Sequence, residues 1–243
     1  MPSRVILVTG ANGGLGRAIA RAFLEEADSN FVWLGVHRAR EETDRLKWEF
    51  AGRCDTLQLD VRQSEAWERA LEEITAKHGR LDVLVNNAGQ HRDALLAQMS
   101  PADWDEVVAT NLTATFHGCR VAIPVMIGQR AGRVINVASL SALLPPAGQA
   151  NYAAAKAGIV ALTRSLAKEV ARIGITVNAV CPGYIETEAL EALGPEEREA
   201  ARMRVPMRRF GRPAEVAAAI QFLACPDAAY ITGSVLKIDG GIL

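Results

Sequence analysis

Aromatic side chains are scarce in this chain: Phe, Trp and Tyr together make up 5% of its 243 residues, and only three are tyrosines. A surface that stacks nucleobases needs more of them. A formal net charge of −1 likewise supplies no field that would draw the chain to nucleic acid or to an anionic membrane. Neither partner is expected. The four cysteines, Cys54, Cys119, Cys181 and Cys225, lie far apart and form no Cys-x-x-Cys pair. They read as reduced, mostly buried thiols of a cytoplasmic protein rather than a disulfide framework, with a reactive Cys181 as a weaker alternative. The four histidines, His37, His78, His91 and His117, show no metal-ligand spacing, so no metal site is expected. No apolar stretch approaches the roughly 20 residues of a membrane span. The run RVILV at 4–8 is too short for a signal peptide and passes straight into glycines.

What the chain has is alternation. About half of its residues are apolar (49%), enough to bury the core of one large α/β domain spanning 1–243, with no linker. Short β-rich runs at 4–8, 31–36, 55–59, 81–85, 133–138, 175–180 and 234–239 alternate with helical patterns, the longest of them over 100–129 and 150–172. The alternation predicts a Rossmann-type, doubly wound parallel sheet of about seven strands with helices on both faces. Ligands then bind at the carboxyl ends of the strands. The charged segment 188–210, interrupted by Pro195 and Pro206, is placed to act as a lid over a substrate.

The first strand ends in Thr9, Gly10, Ala11, Asn12, Gly13, Gly14, Leu15 and Gly16 and runs directly into a helix. Glycines there let the backbone approach a pyrophosphate, and the helix start offers free N–H groups. The second strand ends in His37-Arg38-Ala39-Arg40, with no acidic residue to bond the ribose hydroxyls of NAD. A guanidinium such as that of Arg38 suits the extra phosphate of NADP, so NADP(H) is favoured over NAD(H). Asp60 and Val61 close the third strand, where an adenine edge would lie. Asn87, Ala88 and Gly89 follow the fourth and form a plausible cleft wall.

Ser139 ends the fifth strand, and Tyr152 and Lys156 stand four apart in the helical run ANYAAAKAGIVALT. That spacing puts phenol and ammonium on one helix face. The cation favours phenolate and so lowers the proton affinity of Tyr152 toward neutrality, making it a general acid and base. Ser139 could hold a carbonyl oxygen against it. Asn111 sits inside an apolar helical pattern, where a buried amide needs a bonding partner. Taken alone, Tyr-x-x-x-Lys is more often a surface pair on an ordinary amphipathic helix, and it is the company the motif keeps that favours the catalytic reading.

Together, TGANGGLG at 9–16, NNAG at 86–89, Asn111, Ser139, Tyr152, Lys156 and PGYIET at 182–187 resemble the short-chain dehydrogenase/reductase family, from about Val5 to Gly241. Within it the chain is most similar to bacterial 3-oxoacyl-acyl carrier protein reductases, through RDALLAQMSPADWDEVVATNLT at 92–113, GQANYAAAKAG at 148–158 and RFGRPAEVAAAIQFLA at 209–224. The resemblance implies NADPH-dependent reduction of a 3-oxoacyl thioester, with Tyr152 transferring the proton and Lys156 bonding the nicotinamide ribose. Ser139 would hold the carbonyl oxygen and Asn111 a water. Pro182, Gly183, Ile185 and Thr187 would bind the nicotinamide end. It also implies a homotetramer and, for a carrier-bound substrate, a basic docking patch for which Arg130, Arg133 and Arg172 are candidates. A reductase of small free ketones remains an alternative, and a noncatalytic cofactor-binding regulator a weaker one. Two departures stand out: Gly13 replaces the basic residue common in NADP-dependent relatives, and His91 replaces a small or apolar one.

Overall fold

The computed structural model describes residues 3–38, 41–191 and 194–243. Ala39 and Arg40 of the basic turn, and residues 192 and 193 of the charged segment, lie outside the described residues. Seven strands form one parallel sheet in the order β3-β2-β1-β4-β5-β6-β7. They are β1 (Val5–Thr9), β2 (Phe31–Val36), β3 (Cys54–Gln58), β4 (Val83–Asn86), β5 (Gly132–Val137), β6 (Ile175–Pro182) and β7 (Val235–Ile238). The order reverses between β1 and β4, and that switch point opens the crevice where such sheets take ligands.

Both faces of the sheet are covered, and β1 shows how. All five of its residues are buried. Because side chains alternate along a strand, Ile6 and Val8 enter one core with Phe23, Leu24, Val216 and Ile220. Val5 and Leu7 enter the other with Trp33, Trp67, Ile74 and Met126. The first core is closed by α1 (Gly14–Glu26) and α9 (Pro213–Ala224), the second by α3 (Ser64–His78) and α5 (Ala114–Gln129). Each fully buried large side chain contributes about 1.5–3 kcal/mol. Shorter helices are α2 (Glu41–Glu49), α4 (Pro101–Val108), α7 (Glu188–Glu191) and α8 (Pro195–Arg204), while α6 (Ala150–Val170) carries the tyrosine and lysine. None of the described helices is long and apolar enough to cross a membrane.

Local chemistry sets the boundaries. Ser100 caps α4 by accepting the Asp103 N–H at 3.1 Å, with Pro101 at the first helical position. Gly79 ends α3 in a left-handed conformation (φ 69°) that returns its N–H to Thr75 O. A buried polar chain ties the middle of the sheet to α6. Asn86 Nδ2 donates to Asn136 Oδ1 at 2.8 Å, and Asn136 Nδ2 donates to Thr163 Oγ1 at 2.9 Å.

Four expectations need correction. The helix anticipated over 100–129 is broken between α4 and α5 by a π-helical turn, Ala109–Thr113, at whose centre Asn111 Nδ2 donates to Val107 O and to Gln90 O. The fourth strand runs on to Asn86 and starts later than its apolar pattern, and the sixth continues through Cys181 to Pro182, beside β7. Cys181 is fully buried in that strand and burial pushes its thiol up, so it is an unreactive core residue.

Candidate functional site

A cleft of about 870 Å³ runs along the carboxyl ends of the strands, within the range of small-molecule sites. Its floor is the β1–α1 turn. Gly10 takes φ +64°, and a Cβ there would stand 2.9 Å from Ala88 Cα; one on Gly16 would run into the Gly10 carbonyl. The cleft is lined by Gly10, Asn12, Gly13, Gly14, Leu15 and Gly16, as expected, and by Asn87, Ala88 and Gly89 opposite. Thr9 is the exception. It is buried, and its hydroxyl accepts the Asn87 and Ala88 N–H groups, each at 3.0 Å. Asn87 Nδ2 in turn donates to Thr9 O at 2.8 Å. Thr9 therefore positions the two walls against each other instead of facing a ligand.

At the other end of the cleft Ser139, Tyr152 and Lys156 come together with Pro182, Gly183, Ile185 and Thr187. β5 and the one-turn helix after it hold Ser139 extended, with its Oγ accepting the Ser141 N–H at 3.1 Å. Asn151 opens α6 by accepting the Tyr152 N–H at 2.7 Å and donating to Arg92 O at 3.0 Å. Tyr152 and Ser139 line the same part of the cleft, and Lys156 Nζ lies 5.5 Å from the phenol ring centre. Lys156 is buried and donates to Val137 O at 2.9 Å.

The electrostatics differ from the sequence expectation. Burial pulls the Lys156 amine down to about 8. Burial likewise pushes the Tyr152 phenol up, against the opposing pull of the nearby Ser139 hydroxyl. The phenol's own desolvation is the largest influence on it, so within the protein alone Tyr152 is a neutral proton donor.

Asn111 is fully buried; its Nδ2 donates to Gln90 O at 2.7 Å and Val107 O at 2.8 Å. Its Oδ1 has no partner among the described residues. That oxygen and Lys156 Nζ flank Gly89, where a Cβ would lie 2.5 and 3.3 Å from them. His91 gains a setting as well. Its Nδ1 is 3.0 Å from Asp93 Oδ1, and its ring stands edge-on to Tyr152 at 6.1 Å between centres. Asp93 Oδ2 accepts from Gln149 at 2.8 Å, and Gln149 Oε1 accepts from Ser141 at 2.9 Å. A hydrogen-bonded chain thus runs from His91 back to the serine loop.

At the far end His37, Arg38, Asp60 and Val61 line the cleft. Asp60 is committed to Arg62, which donates to it at 2.9 and 2.8 Å and holds its carboxyl below the usual range. Arg62 and Glu188 also line the cleft and were not anticipated: each lies just past a motif rather than in it. The docking arginines fit less well. Arg133 is half-buried with Nη1 donating to Gly132 O and Gly174 O, at 2.9 and 3.2 Å, so it is a structural residue. Arg130 and Arg172 are exposed, but they precede β5 and β6 and stand at the end of the sheet opposite the cleft. Among the described residues no group of His, Cys, Asp and Glu could hold a metal.

These residues fit a nicotinamide dinucleotide. Lys156 has ammonium protons beyond the one given to Val137 O, and the glycine turn leaves room where a Cβ would intrude. A family model described as Enoyl-(Acyl carrier protein) reductase matches residues 10–243. The chain is 42% identical over 246 residues to a 3-oxoacyl-[acyl-carrier-protein] reductase of Thermotoga maritima, covering 100% of this chain and 99% of that protein. It is 43% identical over 244 residues to the protein of the same name from Vibrio cholerae, with coverages of 100% and 98%. Nodulation protein G of Azospirillum brasilense is 40% identical over 253 residues, with coverages of 100% and 99%. The matches to these relatives cover the whole chain. The chain belongs to the short-chain dehydrogenase/reductase family, whose members are oxidoreductases that work with a nicotinamide cofactor.

Proposed function

We propose that the chain reduces the 3-oxo group of an acyl thioester, carried on acyl carrier protein, to the 3-hydroxyacyl thioester, with NADPH as reductant, in fatty-acid or related polyketide or polyene synthesis. The feature that supports this reading is the convergence of Ser139 and Tyr152 beside the buried Lys156 on the lining of one cleft. Two hydroxyls that meet at one point suit a single carbonyl oxygen. When bound, the nicotinamide supplies the hydride. Tyr152, kept protonated by its surroundings, gives its proton to the oxygen as Ser139 bonds the developing alkoxide. Lys156, with its amine near 8, reprotonates the phenol, and Asn111 Oδ1 accepts from a water that returns the proton from solvent.

NADPH is favoured because Arg38 lines the adenosine end, while Asp60 there is paired with Arg62 and presents no free carboxylate to repel a phosphate. The carrier is taken from the names of the relatives, since Arg130 and Arg172 lie at the opposite end of the sheet. Segment 188–210 serves as the substrate lid. Leu190, Ala201 and Phe210 form a small cluster with Tyr184, separate from the two main cores, so it can shift without opening them. Exposed Phe116 on α5 and Phe222, Leu236 and Leu243 near the C-terminus support a homotetramer.

The test is product analysis. Purified protein with NADPH is offered a 3-oxoacyl thioester, an enoyl thioester and a cyclic ketone. The 3-hydroxyacyl product from the first at the highest kcat/KM is the expected result. A saturated acyl product, or the cyclic ketone as the best substrate, overturns the assignment. Tyr152→Phe should lower kcat by about 10²–10⁴ while leaving cofactor binding in place.

A further inference from the structure

Glu188 opens α7 directly after Thr187, yet its carboxylate reaches back to the start of α1. Oε2 accepts the Gly14 N–H at 3.2 Å, and Oε1 accepts from the Arg17 guanidinium at 2.5 Å. α1 has no side-chain cap of its own and no acidic residue in its first turn. A carboxylate from 174 residues further along the chain supplies the negative charge that a helix start favours. Gly14 makes the approach possible, since a Cβ there would stand 2.8 Å from Glu188 Oε2. Arg17 is held in turn by Nη1 donating to Asn12 O at 2.8 Å, so the carboxylate meets an oriented guanidinium.

The phosphates of a dinucleotide need the same features, the free N–H groups and partial positive charge at the start of the helix after the glycine turn. An N–H already given to a carboxylate is not available to a phosphate oxygen. Two anions on one helix start also repel. We infer that Glu188 is an internal competitor for the cofactor phosphates: it sets the affinity of the cleft for the dinucleotide and ties its occupancy to the position of α7. This rests on the reading of the cleft as the NADPH site. As the phosphates arrive, the carboxylate leaves Gly14 and Arg17, the link between α7 and α1 is released, and the Arg17 guanidinium turns to the phosphates. The residue adjoining Thr187 at the nicotinamide end thereby senses what is bound at the pyrophosphate.

The experiment measures equilibrium dissociation constants for NADPH and for inorganic pyrophosphate, by calorimetry at low salt, in the wild type, Glu188→Gln and Glu188→Ala. Glutamine keeps an acceptor for the Gly14 N–H but carries no charge. Both variants should bind NADPH more tightly, by about tenfold, the size of one released charge-assisted contact. Pyrophosphate should tighten in parallel, and the difference should shrink as salt is added. Affinities equal to or weaker than the wild type overturn the inference, because a carboxylate that only caps α1 would stabilise the site. If Glu188→Gln lacks a cooperative melt, Glu188→Asp gives the same reading, its carboxylate being one methylene short of Gly14. A wild type that binds NADPH normally while the variants do not differ sinks the competition alone. A wild type that binds no NADPH sinks the cofactor reading beneath it.

Discussion

Raising the pH above 8 should stabilise the folded chain relative to a variant that lacks one buried amine. Lys156 is 3% exposed, its ammonium donates to Val137 O at 2.9 Å, and burial brings its pKa from 10.5 to about 8. Unfolded, the same side chain is in water and keeps its proton up to the ordinary value. Between pH 8 and 10.5 the unfolded chain therefore binds a proton that the folded chain has lost, and stability rises with pH across that window. Below pH 8 both states are protonated and the cost of the buried charge is present in full. At 1.36 kcal/mol per unit that cost is about 3 kcal/mol. By pH 10 about 1 kcal/mol of it remains, so the expected gain from pH 7 to 10 is about 2 kcal/mol. Tyr152 acts with the opposite sign, because its folded pKa is raised: the folded phenol holds its proton longer, and stability falls only above pH 10. The assay is urea unfolding at pH 7, 8, 9 and 10 for the wild type and Lys156→Met, which keeps the volume of the stem. The wild type should gain about 2 kcal/mol on the variant over the series. A difference that stays flat would show that the amine titrates near its ordinary value and that the desolvation argument is wrong.

Two further perturbations follow from particular contacts. Arg38→Glu should weaken NADPH binding by about a hundredfold while changing NADH little, since the lost guanidinium and the new carboxylate both act on the extra phosphate. Equal losses for the two cofactors, measured by fluorescence titration, would remove Arg38 from phosphate recognition. Gly118→Ala places a methyl 2.5 Å from Asn86 Oδ1 and 2.7 Å from the Trp67 ring. It should cost about 1–3 kcal/mol by overpacking, and a variant that melts with the wild type would show that Trp67 yields at no expense.

The parts of this protein legible in its sequence are those where one residue type can do one job. A four-residue apolar run, Val5 to Val8, before a glycine turn reads as a central strand buried on both faces, and Gly10 and Gly16 tolerate no Cβ where they sit. The positions of Ser139, Tyr152 and Lys156 followed from helix spacing and strand ends for the same reason. What stayed hidden depends on contacts between distant segments. Nothing local to Ala109–Thr113 announces a π-helical turn, nor that Asn111 within it bonds Gln90, 21 residues back, as well as Val107. Thr9 read as a cofactor contact because the hydroxyl lies at a strand end, but it already accepts the N–H groups of Asn87 and Ala88, just past β4. Arg133 read as a free surface charge because a sequence does not show that the Gly174 carbonyl lies within reach. Glu188 and Arg17, far apart in the chain, meet only in the folded protein.

The pKa reversal at Tyr152 bears on the direction of catalysis. A phenol whose proton affinity is lowered serves as a base, and it favours taking a proton from an alcohol. A phenol held neutral by burial, with Ser139 beside it, begins the cycle loaded for delivery to a carbonyl. Lys156, shifted the other way to about 8, sits close enough to neutrality to give up a proton and recover it in each turnover, which an amine at 10.5 does poorly. Desolvation thus moves both groups toward their neutral forms. That is the polarity a reductase needs at the pH of ordinary metabolism, and it comes from packing around α6 rather than from the attraction between phenol and ammonium that their spacing suggests.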